Sequence, residues 1–156
     1  MNDPKADPAM METLQRDAFG YFIHETNPVN GLVVDKTQPG APASIAAVGL
    51  ALTSYPVGVE RGFISRANAI TRTLATLRFF RNSVQSTDPE ATGYKGFYYH
   101  FLDMNSGKRV WHCELSTIDT AFLLGRQERI RKPSARRGRI HRVLHRLPYG
   151  AGGGAD

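Results

Sequence analysis

Three carboxylates, Asp103, Glu114 and Asp119, fall within Gly93–Thr120, together with Tyr94, Phe97, Tyr98, Tyr99, Phe101 and Trp111. Carboxylates hold and pass protons, and aromatic rings stack on the apolar faces of pyranoses. The combination suits a surface that binds sugar and cleaves a glycosidic bond with paired acids. Glu114 is the first candidate, as an acid or a substrate-binding carboxylate, with Asp119 and Asp103 behind it as catalytic candidates. Ser116 and Thr117 are helix-capping residues, so Glu114 lies in a loop entering a helix and Asp119 in that helix's first turn. Acids there also favour the helix dipole, which is the plainer reading of Asp119. Asp103 precedes Asn105-Ser106-Gly107 and reads either as a turn former or as a carboxylate at a cleft edge.

Side chains around these acids supply candidates for substrate binding. The alternation of a strand puts Tyr94 and Tyr98 on one face, as stacking candidates, and Phe97, Tyr99 and Phe101 on the other, as core. Trp111, the single tryptophan, reads equally as a sugar platform or as core. Lys95 and His112 are candidates for hydrogen bonds to hydroxyls. His100 alternates with the aromatics and reads as a packed or ribbon-surface histidine. Cys113 beside His112 is not read as a nucleophile, because adjacency in sequence does not build a triad. Glu60, next to Arg61, is a weak candidate only.

The elements that must position these residues are mainly helical. Leu14, Ala18 and Phe22 recur at helical spacing and predict a helix from about Met11 to Glu25. Ser44 opens a small-residue apolar helix through about Ser54, which Pro56 ends. Ser65 caps a third helix, 66–82, with Ile70, Leu74, Leu77 and Phe80 as its buried stripe. Tyr94–Leu102 has strand composition and is expected to pair as a hairpin with Lys108–Cys113. Ser116 or Thr117 caps a fourth helix to about Gly125.

Three segments also carry a family resemblance: LQRDAFGYF at 14–22, PASIAAVGLAL at 42–52 with YPVGVERG at 55–62, and Gly93–Thr120. In this order and spacing they resemble the glucoamylase-like domain of bacterial glycoside hydrolases, the family that includes endo-β-1,2-glucanases. The resemblance implies part of an (α/α)6 barrel: about four helices plus one β-hairpin, roughly the first third of twelve helices. It implies hydrolysis of a β-glucan by carboxylate acid/base catalysis, with no metal and no cofactor. The expected partner is an oligo- or polysaccharide. The later helices would supply any second carboxylate, so little activity is expected from this chain alone.

The resemblance stops at Gly125. Residues 1–125 carry 11 Lys and Arg against 12 Asp and Glu, whereas residues 126–156 carry 9 against 2. The sequence pI near 9.8 therefore belongs to the tail, and whole-chain basicity does not make the domain a nucleic-acid binder. The expected division is a disordered 1–10, a truncated glucoamylase-like domain at 11–125, and an Arg/Gly-rich tail at 126–156. The tail reads as disordered or as the product of a frameshift in GC-rich DNA. Two rival readings are a basic amphipathic helix around Ile140, Val143, Leu144 and Leu147 for an anionic membrane surface, and non-specific phosphate binding through the arginines. The rival function class is accordingly a non-catalytic fragment binding carbohydrate or anions. The first residues lack the basic and apolar regions of a signal peptide, and no apolar run is long enough to span a bilayer. A cytoplasmic location is the default expectation, although family members are often periplasmic or secreted. One cysteine allows no internal disulfide.

Overall fold

The computed structural model describes residues 7–131 and side chains as far as residue 125. The first six residues and the segment 132–156, including the expected basic helix, lie outside the described residues. Four helices, α1 (Pro8–His24), α2 (Ile45–Glu60), α3 (Arg66–Asn82) and α4 (Thr117–Arg131), alternate with five short strands, β1 (Ala43–Ser44), β2 (Gly93–Tyr94), β3 (Phe97–Tyr99), β4 (Phe101–Leu102) and β5 (Leu115–Ser116). The mainly helical expectation holds for these residues. No helix among them is long and apolar enough to cross a membrane.

Helix α1 starts at Pro8, not Met11. Asp7 caps it by accepting the Ala9 N–H at 3.0 Å. Proline at the first helical position gives up an N–H that would have no partner there. Residues 8–10 are thus helical, not part of a disordered terminus. The face that packs is also displaced from the predicted one. Leu14 is more than half exposed, and Phe19 is the buried residue. Gly58 on α2 explains this: a Cβ there would lie 2.3 Å from the Phe19 ring, so the ring fills the notch that glycine leaves.

Helix α2 buries Ile45, Val48, Ala51, Leu52 and Tyr55. It runs through Pro56 to Glu60 instead of ending at the proline. Pro56 is exposed and sits in the last turns, where its missing N–H forfeits one bond. Helix α4 lies close against α2 at Gly49, where a Cβ would come within 3.0 Å of the Phe122 backbone. Helix α3 matches its predicted bounds, with Ser65 accepting the Asn68 N–H. Leu74, Leu77 and Phe80 are buried as expected, joined by Thr73 and Thr76, and Ile70 is half-buried.

The expected strand Tyr94–Leu102 is folded back on itself. Lys95 and Gly96, at φ 50° and 85°, form a two-residue turn between β2 and β3. Left-handed φ at both central positions gives the twist such hairpins need. The expected partner, Lys108–Cys113, contributes only an isolated bridge from Arg109 to Leu102. The ribbon pairs instead with the residues that lead into two helices: β4 with β1, ahead of α2, and β3 with β5, ahead of α4. Both pairings are antiparallel to one continuous ribbon, so α2 and α4 leave it side by side in the same sense. Their N-termini meet on the ribbon, and this geometry positions the site.

Candidate functional site

His100 stands where the ribbon changes partner. Its N–H donates to the Glu114 carbonyl at 3.1 Å, and its carbonyl accepts from the Ile45 N–H at 3.2 Å. One residue's backbone thus joins the entries of α4 and α2. At Tyr98 the backbone N–H donates to the Thr120 hydroxyl, tying β3 to the first turn of α4. Ser116 caps that helix by accepting the Asp119 N–H at 3.1 Å.

The His100 imidazole lies between two of the candidate carboxylates. Nδ1 is 3.1 Å from Glu114 Oε1 and 3.3 Å from Asp119 Oδ2. Nδ1 hydrogen-bonds Glu114 Oε1, as the donor when it carries the proton, and Asp119 Oδ2 stands within ion-pair distance of it. Glu114 is largely exposed, and Asp119 is mostly covered, with 14% of its side chain accessible. Glu114 is held below its ordinary acidity range first by its own backbone N–H and then by His100, with Arg109 adding a smaller attraction. The N-termini of α2 and α4 add partial positive charge at the same place. Glu114 is therefore ionised at neutral pH. That state suits accepting a proton or a hydroxyl hydrogen bond, whereas a general acid needs a raised pKa.

The aromatic face is the reverse of the expected one at Tyr98. Tyr98 is 7% exposed, packs edge-on against Phe80 at 4.8 Å and belongs to the core. Phe97, assigned to the core from alternation, is the exposed neighbour. The tight turn at Lys95-Gly96 and the first turn of α4 decide which face is covered. Two half-buried rings beside the carboxylates lead out to the exposed Trp111: His100 stacks on Phe101 at 4.0 Å, and Phe101 meets Trp111 edge-on at 5.5 Å. Trp111 is 68% exposed and is not part of the core.

The remaining candidates separate. Lys95 sits at the hairpin tip with its ammonium 5.2 Å from the Tyr94 ring centre. Among the described residues neither Tyr94 nor Lys95 makes a hydrogen bond or ion pair to the cluster. His112 is exposed in the turn beside Trp111. Glu60 lies at the far end of α2 from the ribbon and is no part of the site. Cys113 is buried, its sulfur exchanging hydrogen bonds with the Phe101 backbone. Asp103 is placed as a turn residue. Its Oδ1 accepts from the Asn105 N–H, the Ser106 N–H and the Ser106 hydroxyl. Those bonds, the Ser106 N–H foremost, hold its carboxyl below the ordinary range.

Asp103→Ala is accordingly expected to lower stability by about 1–2 kcal/mol at neutral pH, and Asp103→Asn by less, because an acceptor oxygen remains. A depressed folded pKa stabilises above the ordinary carboxylate value and ceases to as pH falls through the lowered one. The gap between the parent and Asp103→Asn should therefore narrow in acid, as measured by urea unfolding across the acid range.

Sequence reasoning weighs His100 as a packed or ribbon-surface histidine ahead of a catalytic one and does not place it between the two carboxylates. Its spacing within the aromatic run signals only a strand. The two carboxylates reach it because the ribbon exchanges partners at that residue, which no local pattern encodes. No group of three or more His, Cys, Asp or Glu among the described residues is arranged to hold a metal ion. Three concavities lie elsewhere, around the end of α1 and beside α3, and none is lined by the cluster.

Comparison with known proteins agrees with the resemblance read from the sequence. No family model matches the chain. It is 29% identical over 109 residues to an exo β-1,2-glucooligosaccharide sophorohydrolase (non-reducing end) of Parabacteroides distasonis, an alignment covering 69% of this chain and 14% of that protein. Among solved structures, a β-1,2-glucanase from Parabacteroides distasonis superposes with a TM-score of 0.75 at 21% identity, over 94% of this chain and 21% of that one. An endo-β-1,2-glucanase from Chitinophaga pinensis, solved with sophorotriose and glucose, gives 0.70 at 19%, over 89% of this chain and 34% of that one. At these identities the structures show a shared fold. The chain spans only a minor part of each relative.

Proposed function

We propose that residues 7–131 form the N-terminal part of a glycoside hydrolase fold, four helices of an (α/α)6 barrel, whose ribbon end binds a β-1,2-linked glucan. The observation that carries this reading is the Glu114–His100–Asp119 cluster, set beside the exposed Trp111 at the joint N-terminal end of two parallel helices. Glu114, ionised and exposed, accepts hydrogen bonds from sugar hydroxyls or a proton from water. Asp119, more covered, holds His100 in place, and Trp111 offers a face to a pyranose. The likeness to proteins named for β-1,2-glucan hydrolysis supports the choice of linkage.

Turnover requires a second carboxylate across the scissile bond and walls that close the cleft. The cluster stands on an open surface, so both must come from helices beyond the described ones. The described residues alone are expected to bind glucan and to hydrolyse little or none of it.

The single tryptophan makes the test direct. Titration with sophorotriose should change Trp111 emission saturably, and a β-1,4-linked glucotriose should do so more weakly. No response to either sugar, with the helical far-UV spectrum intact, overturns the proposal.

A further inference from the structure

Trp111 and His112 both adopt left-handed backbone, at φ 57° and 49°. They are the central residues of a tight turn closed by the Cys113 N–H donating to the Val110 carbonyl at 3.1 Å. A turn with positive φ at both central positions ordinarily takes Asn-Gly or similar pairs. Tryptophan is a poor choice for it, because its Cβ crowds the following carbonyl oxygen. Strain of this kind persists only where surrounding contacts over-determine the conformation.

Arg109 supplies those contacts. Its guanidinium lies over the Tyr99 ring, with 4.1 Å from the central carbon to the ring centre. One terminal nitrogen donates to the His112 carbonyl, across the strained turn. Its Nε is buried without a partner, which costs free energy that a merely solvated arginine would avoid. On the other side, the Phe101 N–H and carbonyl bond Cys113 Sγ, fixing the end of the turn. Phe101 is also the ring against which Trp111 rests.

We propose that Arg109 is a positioning residue for Trp111. It stacks on Tyr99, grips the His112 carbonyl and holds the turn in its left-handed form, so that the indole is presented at a fixed angle beside Glu114. Lysine cannot replace it, since an ammonium neither stacks in a plane nor offers a rigid fork. The functional half of this inference rests on the glucan-binding reading above, and the mechanical half does not.

The test uses the full chain and the anisotropy decay of its one tryptophan. R109A and R109K should each shorten the decay, R109K less, with unchanged far-UV dichroism, and should weaken sophorotriose binding about tenfold. If R109A does not fold, R109K carries the comparison. Adding H112G to the arginine variant should recover part of the slow decay, because glycine at the second central position favours this turn. An unchanged decay in a folded arginine variant overturns the proposal. A double variant as mobile as the single one overturns the strain argument. If the parent chain binds no sophorotriose, the sugar reading fails, and the anisotropy comparison still decides the role of Arg109.

Discussion

Glu114→Gln is expected to weaken sophorotriose binding about tenfold or more while leaving the fold and its melting temperature nearly unchanged. The side chain is largely exposed, and its partners are its own backbone N–H and His100 Nδ1 at 3.1 Å, to both of which a glutamine oxygen still offers an acceptor. The substitution therefore removes the charge and spares the local packing. A charge-assisted bond to a hydroxyl is roughly twice as strong as a neutral one, and that difference is what titration should read. The pH dependence gives a second handle. The folded pKa of Glu114 is depressed, so the ionised form and the binding that depends on it persist from neutral pH down to the lowered value. Both are lost as pH falls through it. The glutamine variant should be flat over that acid range. Isothermal titration across it, with unfolding followed separately, settles the matter: equal affinities for parent and variant at neutral pH would remove Glu114 from the site.

The largest stability loss is expected at Gly31→Ala. Gly31 has φ 74°, and a Cβ on it would lie 2.1 Å from Thr76 Oγ1 and under 3 Å from the Thr76 backbone. The hydroxyl side chain could turn away, but the α3 backbone could not. Left-handed strain of about 1–2 kcal/mol adds to overpacking of about 1–3 kcal/mol, so a loss of about 3 kcal/mol is expected in urea unfolding. Gly31 holds the loop of Leu32, Val33 and Val34 onto α3, and Leu32 and Val33 are fully buried. Gly40→Ala is the control. Its φ of 76° is equally left-handed, yet nothing lies within 4 Å of the added carbon. It should cost only the backbone strain. Similar losses at the two positions would show that the approach to Thr76 contributes nothing.

Much of this fold is legible where a local rule acts alone. Ser65 and the spacing of Leu74, Leu77 and Phe80 place α3, because a cap and a period need only neighbouring residues. Ser116 likewise marks the start of α4, and with it the placing of Glu114 just before a helix and Asp119 in its first turn. The misreadings share another cause. Pro56 is expected to end α2, but the helix runs through it to Glu60, held by the burial of Tyr55 and Gly58 on either side of the proline. Asp103 carried two readings from its type, and only the three bonds to its Oδ1 choose the turn.

Residue types and local spacing therefore determined that this chain is mainly helical, and that Glu114 and Asp119 flank a helix start beside aromatic residues. The fold decided which of those residues meet. The ribbon pairs its strands with the leads into α2 and α4 and meets the following segment 108–113 only at an isolated bridge, which brings His100 between two carboxylates and turns Tyr98 inward while leaving Trp111 outside. Such pairings depend on the burial of α2 against α4 and on contacts far apart along the chain. The alternation of side chains along a strand is the same whichever partner it finds.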